Sequence, residues 1–345
     1  MIADVTDRTP IERDLRLCML EDLVGKCALL PDDMRSHPLA VATQALTAKP
    51  VRQVVRPLLT RAPRAWERDH RDVAIVTVKG EELDAALRAF GIPPEQHEQQ
   101  SHIAGTSYWE AQLTPDGYAD PISVVIMMVG EARNSPCAIA CTRLFQDFRV
   151  DLCVLCGIAA GHKDKVDLGD LVIADLIFDY EGASIYADGL KRRPNPFSLE
   201  PPLPWHLERF ETSRTALETW QRLFSECYAG LAPDKRPPAY PDEPRVPVLH
   251  RGVLVSGEKW IRQPEWLPDI ANEYHEKIIA AEMEGSGFAQ ACRAQRIPWL
   301  DLRGISDHGT VSPGKEWHAA AALASATAAV AFLRTRYRPG VLATP

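Results

Sequence analysis

The chain has 345 residues, a formal net charge of −8, and 46% hydrophobic against 25% charged residues. This is an ordinary soluble composition, long enough for one large domain with an appendage. The acidic balance gives no sign of a nucleic-acid surface, and the most apolar stretch, "WHAAAALASATAAVAFL", is mostly alanine and short for a membrane span, so a packed helix is expected there.

The N-terminus, "MIADVTDRTPIERDLRLCML", is charged throughout and lacks the apolar core of a secretory signal, so a cytoplasmic location is expected. Residues 1–70 carry helical apolar spacing, as in "LRLCMLEDLVGKCALL", and end in the basic, Pro-punctuated "TRAPRAWERDHRD". They read as a small helical extension with a linker, a candidate adaptor for a regulatory partner.

Residues 71–340 read differently. "VAIVTV" is a strand and "GEELDAALRAFG" a helix closed by glycine; "ISVVIMMVG" is a strand and "SPCAIACTRLFQDF" a helix. "VDLCVLCGIAAG" is a strand running into a glycine turn. Cys153 and Cys156 within it form a CxxC without the second pair that zinc needs, so core thiols are expected. "GDLVIADLIFDY", "HRGVLVSG", "KIIAAEMEG" and "IPWLDLRGISDHG" are further strands, with the helix "SGFAQACRAQR" before the last and the alanine-rich helix after it. Apolar strands alternating with helices imply an α/β fold: a mixed, mostly parallel central sheet flanked by helices. Residues 181–248 interrupt this pattern with two Pro-rich stretches around one helix-like segment, "RFETSRTALETWQRLFSECY", an expected insertion at the sheet's rim.

In open α/β sheets ligands collect beyond the strand ends, so the residues following each strand carry the chemistry. They are Lys79–Glu82, Glu131–Asn134, "GIAAG", Glu258–Trp260, Glu282–Glu284 and Arg303–Asp307. No metal cluster and no serine–histidine pair stands among them, and no cofactor is expected. Carboxylates bunched at a rim are unfavourable unless something uses them. A carboxylate accepts hydrogen bonds from two neighbouring sugar hydroxyls, and a carboxyl of raised pKa donates a proton to a leaving group. Glu282 and Glu284 are two apart and share a face on an extended strand.

The ordered set "VAIVTVKGEEL", "VLCGIAAGHKDKVDLGDLVIAD", "GVLVSGEKW", "AAEMEGSGFAQAC" and "PWLDLRGISDHG" resembles the signatures of the purine nucleoside phosphorylase and methylthioadenosine/adenosylhomocysteine nucleosidase superfamily, over roughly residues 72–335. The resemblance implies a nucleoside phosphorylase-like fold and cleavage of a purine N-glycosidic bond. It implies that Glu284 holds the ribose 2′ and 3′ hydroxyls, with Met283 against the sugar. Asp307 is the implied general acid at purine N7, with Ser306 beside it. Trp260 takes the place of the aromatic residue beneath the base. Glu82 is the implied activator of water and Arg303 the arginine near that nucleophile. Ile158 stands where small nucleosidases usually have serine, a departure from the methylthioadenosine enzyme. Relatives are usually oligomers, so a homo-oligomer is expected. Longer bacterial members joined to helical modules resemble effectors of anti-phage defence.

The turn "VKGEEL" sets two carboxylates where phosphorylases hold phosphate, and like charges repel. Hydrolysis of a purine nucleoside or nucleotide, adenine-type base favoured, is the expected activity. A phosphate-dependent phosphorylase and a catalytically inactive nucleoside sensor are the alternatives. Arg133, and Lys191, Arg192 and Arg193 in the insertion, are the candidate phosphate contacts of a nucleotide substrate.

Overall fold

The computed structural model describes residues 69–337 apart from 99, 104, 188, 241–243 and 311–314; the extension expected over residues 1–70 lies outside them up to residue 68. The elements in chain order are β1 (Asp69–Thr77), α1 (Gly80–Ala89), β2 (Ser101–Ile103), β3 (Thr106–Leu113), β4 (Ile122–Met128), α2 (Asn134–Asp147) and β5 (Phe148–Gly161). Then follow β6 (Leu171–Asp179), β7 (Ala183–Tyr186), β8 (Gly189–Arg192), β9 (Asn195–Ser198), α3 (Leu203–Glu211) and α4 (Arg214–Ala229). The last are β10 (Leu249–Ser256), α5 (Trp266–Tyr274), β11 (Ile278–Glu282), α6 (Gly285–Gln295), β12 (Trp299–Asp307) and α7 (His318–Thr335).

One mixed sheet runs β11-β10-β6-β12-β5-β1-β4-β3-β2, with β9 added to β6. At its centre β1 lies parallel between β4 and β5, and β12 lies parallel to β5. These strands are apolar without alternation because helices cover both faces. Cys153 and Cys156 are both buried for that reason, on opposite faces of β5. On one side α7 packs against α1, α4 and β12; elsewhere α2 packs against α6. Every residue of α7 from Ala320 to Leu333 is buried, which is why its sequence is apolar all round. No helix among the described residues is long and apolar enough to cross a membrane.

The sheet departs from a parallel pattern in two places. The antiparallel edge β4-β3-β2 was not anticipated; its outer strands are part-exposed. More consequential is the segment expected as a glycine turn, residues 157–161, which is strand. β5 continues through it and pairs antiparallel with β11, Ala160 to Ala281 and Gly161 to Ala280. A turn would leave these buried backbone groups unpaired, whereas β11 and β12 satisfy them. The strands β5, β12, β6, β10 and β11 thereby close into a ring. Within it β12 runs antiparallel to β6, while β6, β10 and β11 are mutually parallel. The chemistry therefore does not lie along one rim of strand ends. The end of β11 comes down beside the middle of β12.

The 181–248 insertion is also more than a rim feature. β7 and β8 form a hairpin, and β9 extends the sheet. Two helices stand where one was expected, split at Thr212 and Ser213; the Ser213 hydroxyl accepts from Ala216 N at 3.4 Å and caps α4. Trp220 of α4 is fully buried and donates its indole N–H to Ala324 O of α7 at 3.1 Å. The return to β10 is fastened by Asp170, 2% exposed. Its Oδ1 accepts from Arg245 at 2.6 Å and Val248 N at 3.0 Å. Its Oδ2 accepts from His250 and from Asp167 N, each at 3.0 Å. Burial opposes the charge, but these four donors outweigh it and hold Asp170 well below the usual carboxylate range.

Candidate active site

Arg303 is the fifth residue of β12 and has no exposure at all. Its Nε donates to Asp301 Oδ1 at 2.6 Å, its Nη2 to Glu282 Oε2 at 2.7 Å and its Nη1 to Glu284 Oε2 at 3.1 Å. Asp301 shares the strand face with Arg303 because the two are two apart. Glu282 ends β11, and its Oε2 also accepts from Glu284 N at 2.7 Å and Gly285 N at 2.6 Å. Glu284 is no longer strand: it is the N-cap of α6 (φ −129°, ψ −23°). The bend lets both carboxylates reach one guanidinium.

Glu82 approaches from α1 and is buried. Its Oε2 accepts from Val78 N at 2.7 Å and Lys79 N at 3.0 Å, reaching back over the start of its own helix. Its Oε1 accepts from Ile158 N at 3.0 Å. At Gly157 a Cβ would lie 2.7 Å from Arg303 Nη1 and 3.0 Å from Glu82 Oε1, so only glycine lets the two flank β5. Arg303 lies beside Glu82 but spends its hydrogen bonds on the other three carboxylates and, at 3.4 Å, on Ile158 O. Burial, then the nearby Glu284 charge, pushes the Glu82 carboxyl above its usual range; Arg303 and the two backbone donors oppose the shift. A carboxylate of raised pKa is a stronger general base than an ordinary glutamate.

Asp307 ends β12, half-buried. Its Oδ1 accepts from Gly309 N at 2.7 Å, and Ser306 Oγ lies 3.1 Å from its Oδ2 and 3.3 Å from Ala159 O. His308 turns away to Gly161 O at 3.1 Å. Met283, next to Glu284, and Ile158, whose N–H is on Glu82, are both half-buried. Trp260 is 61% exposed, with the Arg262 guanidinium stacked 4.0 Å from its ring centre.

The candidate phosphate contacts separate. Arg133 N donates to Glu284 Oε1 at 3.1 Å, which puts this residue at the centre of the site. It holds φ at 108°, a region that favours glycine, and its side chain is exposed. Lys191, Arg192 and Arg193 stand on and just after the β7–β8 hairpin. Lys191 stacks on Tyr186 at 4.7 Å, Arg193 donates to Tyr186 Oη at 3.0 Å, and Arg192 faces Glu273 at 3.9 Å. These contacts are with the hairpin itself and with α5, and not with Glu82, Glu284 or Asp307. At the opposite end of β1, His70, Asp72 and Asp151 bring ligand atoms within 4.8 Å of one another. Ser123 N and Oγ, each at 2.7 Å, already occupy Asp72 Oδ2, so the trio fastens strands.

Residues 72–335 match the phosphorylase superfamily model, over the strands and loops that carry all of these groups. The chain belongs to the phosphorylase superfamily. Over 265 residues it is 29% identical to the ATP nucleosidase Cap17 of Escherichia coli (strain KTE188), an alignment covering 76% of this chain and 51% of that protein. The chain thus spans about half the length of that relative. It is 26% identical over 192 residues to a 5′-methylthioadenosine/S-adenosylhomocysteine nucleosidase of Exiguobacterium, covering 56% of this chain and 70% of the relative. The fold matches that of the Neisseria meningitidis 5′-methylthioadenosine/S-adenosylhomocysteine nucleosidase solved with methylthio-immucillin-A. The TM-score is 0.54 at 19% identity, over 76% of this chain and 99% of that one. The Helicobacter pylori futalosine hydrolase matches at 0.52 and 16%, over 76% and 97%.

In this superfamily member two polar residues of the site, Asp301 and Ser256, escaped the sequence reading, and Asn134 was named there only as a strand-end residue. Asp301 hid in the run "WLDL", although its i−2 spacing from Arg303 was a usable signal. Ser256 carried none, and the place of Asn134 after a strand did not announce its partners: Asn134 Oδ1 accepts from Ser256 Oγ at 3.0 Å and Gly287 N at 2.9 Å, joining α2, β10 and α6 beneath Glu284.

Proposed function

We propose that the chain is a nucleosidase that hydrolyses the N-glycosidic bond of a purine nucleotide, with an adenine-type base. The observation that carries this reading is the charge around the nucleophile position. Glu82 is buried and aimed by three backbone N–H groups, and the buried cation beside it, Arg303, is spent on three carboxylates. A phosphate dianion would enter a field of buried carboxyl groups beside a guanidinium already bonded to three of them, whereas a water would meet a general base. The same fact disfavours the phosphorylase alternative.

In this mechanism Glu282 and Arg303 hold Glu284 so that its carboxylate takes the ribose 2′ and 3′ hydroxyls. As the glycosidic bond breaks, positive charge grows on the ribose beside Glu284 and Glu82, where anions stabilise it. Glu82 takes a proton from the attacking water, and Asp307 delivers one to N7 of the departing base. The products are the free base and a ribose or ribose phosphate. Arg133, at the mouth beside Glu284, supplies the cation for a 5′ phosphate. The similarity to an ATP nucleosidase supports a nucleotide over a thio-nucleoside, as does Ile158 in place of serine.

The test is base release from adenosine, methylthioadenosine, AMP and ATP, each with and without inorganic phosphate. Release from AMP or ATP without phosphate is expected. Turnover only with phosphate would make the chain a phosphorylase, and none from any substrate would leave a binding protein.

A further inference from the structure

The carboxylates around Arg303 do not balance. Glu82, Glu282, Glu284 and Asp301 are 5%, 6%, 6% and 0% exposed, against a single guanidinium. Buried charge of one sign in excess is expensive, and the usual outcome is that one group keeps its proton. The geometry says which. Among the buried side-chain oxygens of this cluster, two have no hydrogen-bond partner: Glu282 Oε1 and Asp301 Oδ2. They are also neighbours. A Cβ on Gly285 would lie 2.6 Å from the one and 2.7 Å from the other, so both oxygens are directed at the same small space over the Gly285 Cα. Two bare carboxylate oxygens converging in a buried interior repel; a carboxyl O–H facing a carboxylate attracts and satisfies both.

We propose that Asp301 is a positioning residue of this centre: its Oδ2 carries a proton directed at Glu282 Oε1, and the joined pair braces the Arg303 guanidinium from behind so that Nη1 stays on Glu284. The inference rests on the nucleosidase reading above only for the role of Glu284. The groups facing the pair are known from every side. From β12 comes Arg303, on Asp301 Oδ1 and Glu282 Oε2. From β11 and the start of α6 come Glu282 and Glu284, and from α1 comes Glu82. β5 contributes the neutral Cys156 thiol, which burial and Asp301 push up. β10 contributes the Ser256 hydroxyl, 3.0 Å from Asn134 Oδ1 and also within reach of Glu282, whose charge it favours. None of these offers a second cation. Burial raises the Asp301 carboxyl to about 7, with Arg303 opposing and Glu282 adding to the rise. The pair therefore loses its proton as pH climbs through neutrality. The freed charges repel, the brace opens, and Glu284 loses its fixed position.

The test begins with infrared titration of the wild-type chain, isotope-labelled at the aspartate carboxyl. A protonated-carboxyl band that shifts in D2O, stands at about pH 6 and bleaches across neutrality is expected. It is absent in Asp301→Asn. This needs no turnover, so it stands or falls apart from the nucleosidase reading. Kinetics supply the second arm. The side-chain amide of the Asp301→Asn variant would present an acceptor to Arg303 and a donor to Glu282, so its KM stays within about threefold of wild type at pH 6. It also stays flat toward about pH 8.5, where the wild-type KM rises about tenfold. Asp301→Leu, which fills the space without bonding, raises KM about thirtyfold at every pH, with kcat falling less. No protonated aspartate band in the wild type overturns the proposal. So does an Asp301→Asn variant that follows the wild-type pH profile or behaves like Asp301→Leu.

Discussion

Two buried charge clusters lie in this domain, and they are mirror images. Around Asp170 one carboxylate meets four donors, two of them from Arg245 and His250, and it is held ionised. Around Arg303 one cation meets a crowd of carboxylates, and burial pushes Glu82, Glu282 and Asp301 up. The first is saturated and leaves nothing for a ligand; it fastens the insertion to the sheet. The second carries anionic surplus, a cost that a fold tolerates where a reacting molecule will use it. The difference separates a structural buried charge from a chemical one without reference to any relative.

That contrast can be broken from either side. The largest effect is expected at the surplus end and at the acid beyond it: Glu82→Gln and Asp307→Asn each lower kcat by about a thousandfold, as lost general base or acid. Circular dichroism melts separate the two: Asp307→Asn stays close to wild type, whereas Glu82→Gln turns an amide N–H2 toward buried backbone N–H donors and costs about 1–3 kcal/mol. Asp170→Ala should do the reverse. It strands Arg245 and His250 beside an emptied site and costs about 3 kcal/mol in urea unfolding, with little change in kcat.

The two clusters also predict opposite pH slopes. The depressed Asp170 carboxyl contributes stability that is present above the unfolded aspartate range and lost as pH falls through its lower folded value. The raised Asp301 carboxyl works the other way: the folded state keeps a proton the unfolded chain has released, so stability declines from about pH 4 toward 7. Urea midpoints across pH should lose their acid limb in Asp170→Asn and their neutral decline in Asp301→Asn. Kinetically, the raised Glu82 carboxyl moves the acid limb of kcat/KM above the ordinary glutamate range. The smallest effect is expected at Arg133→Gly. Glycine keeps the N–H on Glu284 and relieves the backbone, a gain offset by unfolded-state entropy to within about 1 kcal/mol. Steady-state kinetics should show KM for AMP rising about threefold to fivefold relative to adenosine, a loss of one exposed ion contact.

Much of this was legible in the chain. The strands announced themselves as unbroken apolar runs, and "EMEG" and "GISDHG" stood out because carboxylates follow buried strands there. What stayed hidden depended on contacts far apart in sequence. Nothing in "CGIAAG" says that its small residues bend a long strand onto β11 and do not form a turn. Without that closure, Arg303 reads as a strand-end residue beside Glu82; with it, Arg303 becomes the shared anchor of Glu282 and Glu284. Asp301 was passed over because it sits amid apolar neighbours, where a charge looks like noise until its partner is seen. The division of the insertion into α3 and α4 turned on one serine cap.

The ring of β5, β12, β6, β10 and β11 has a consequence for how such a chain can change. Its register is set by strand pairing alone, and the long excursion from Tyr180 to Val248 leaves β6 and returns to β10, which are already neighbours. A segment spliced between adjacent staves neither stretches nor loosens the barrel. Length and content can change in the part-exposed β7–β8 hairpin, while β9 on β6 and Trp220 under α7 keep the rest of the excursion docked.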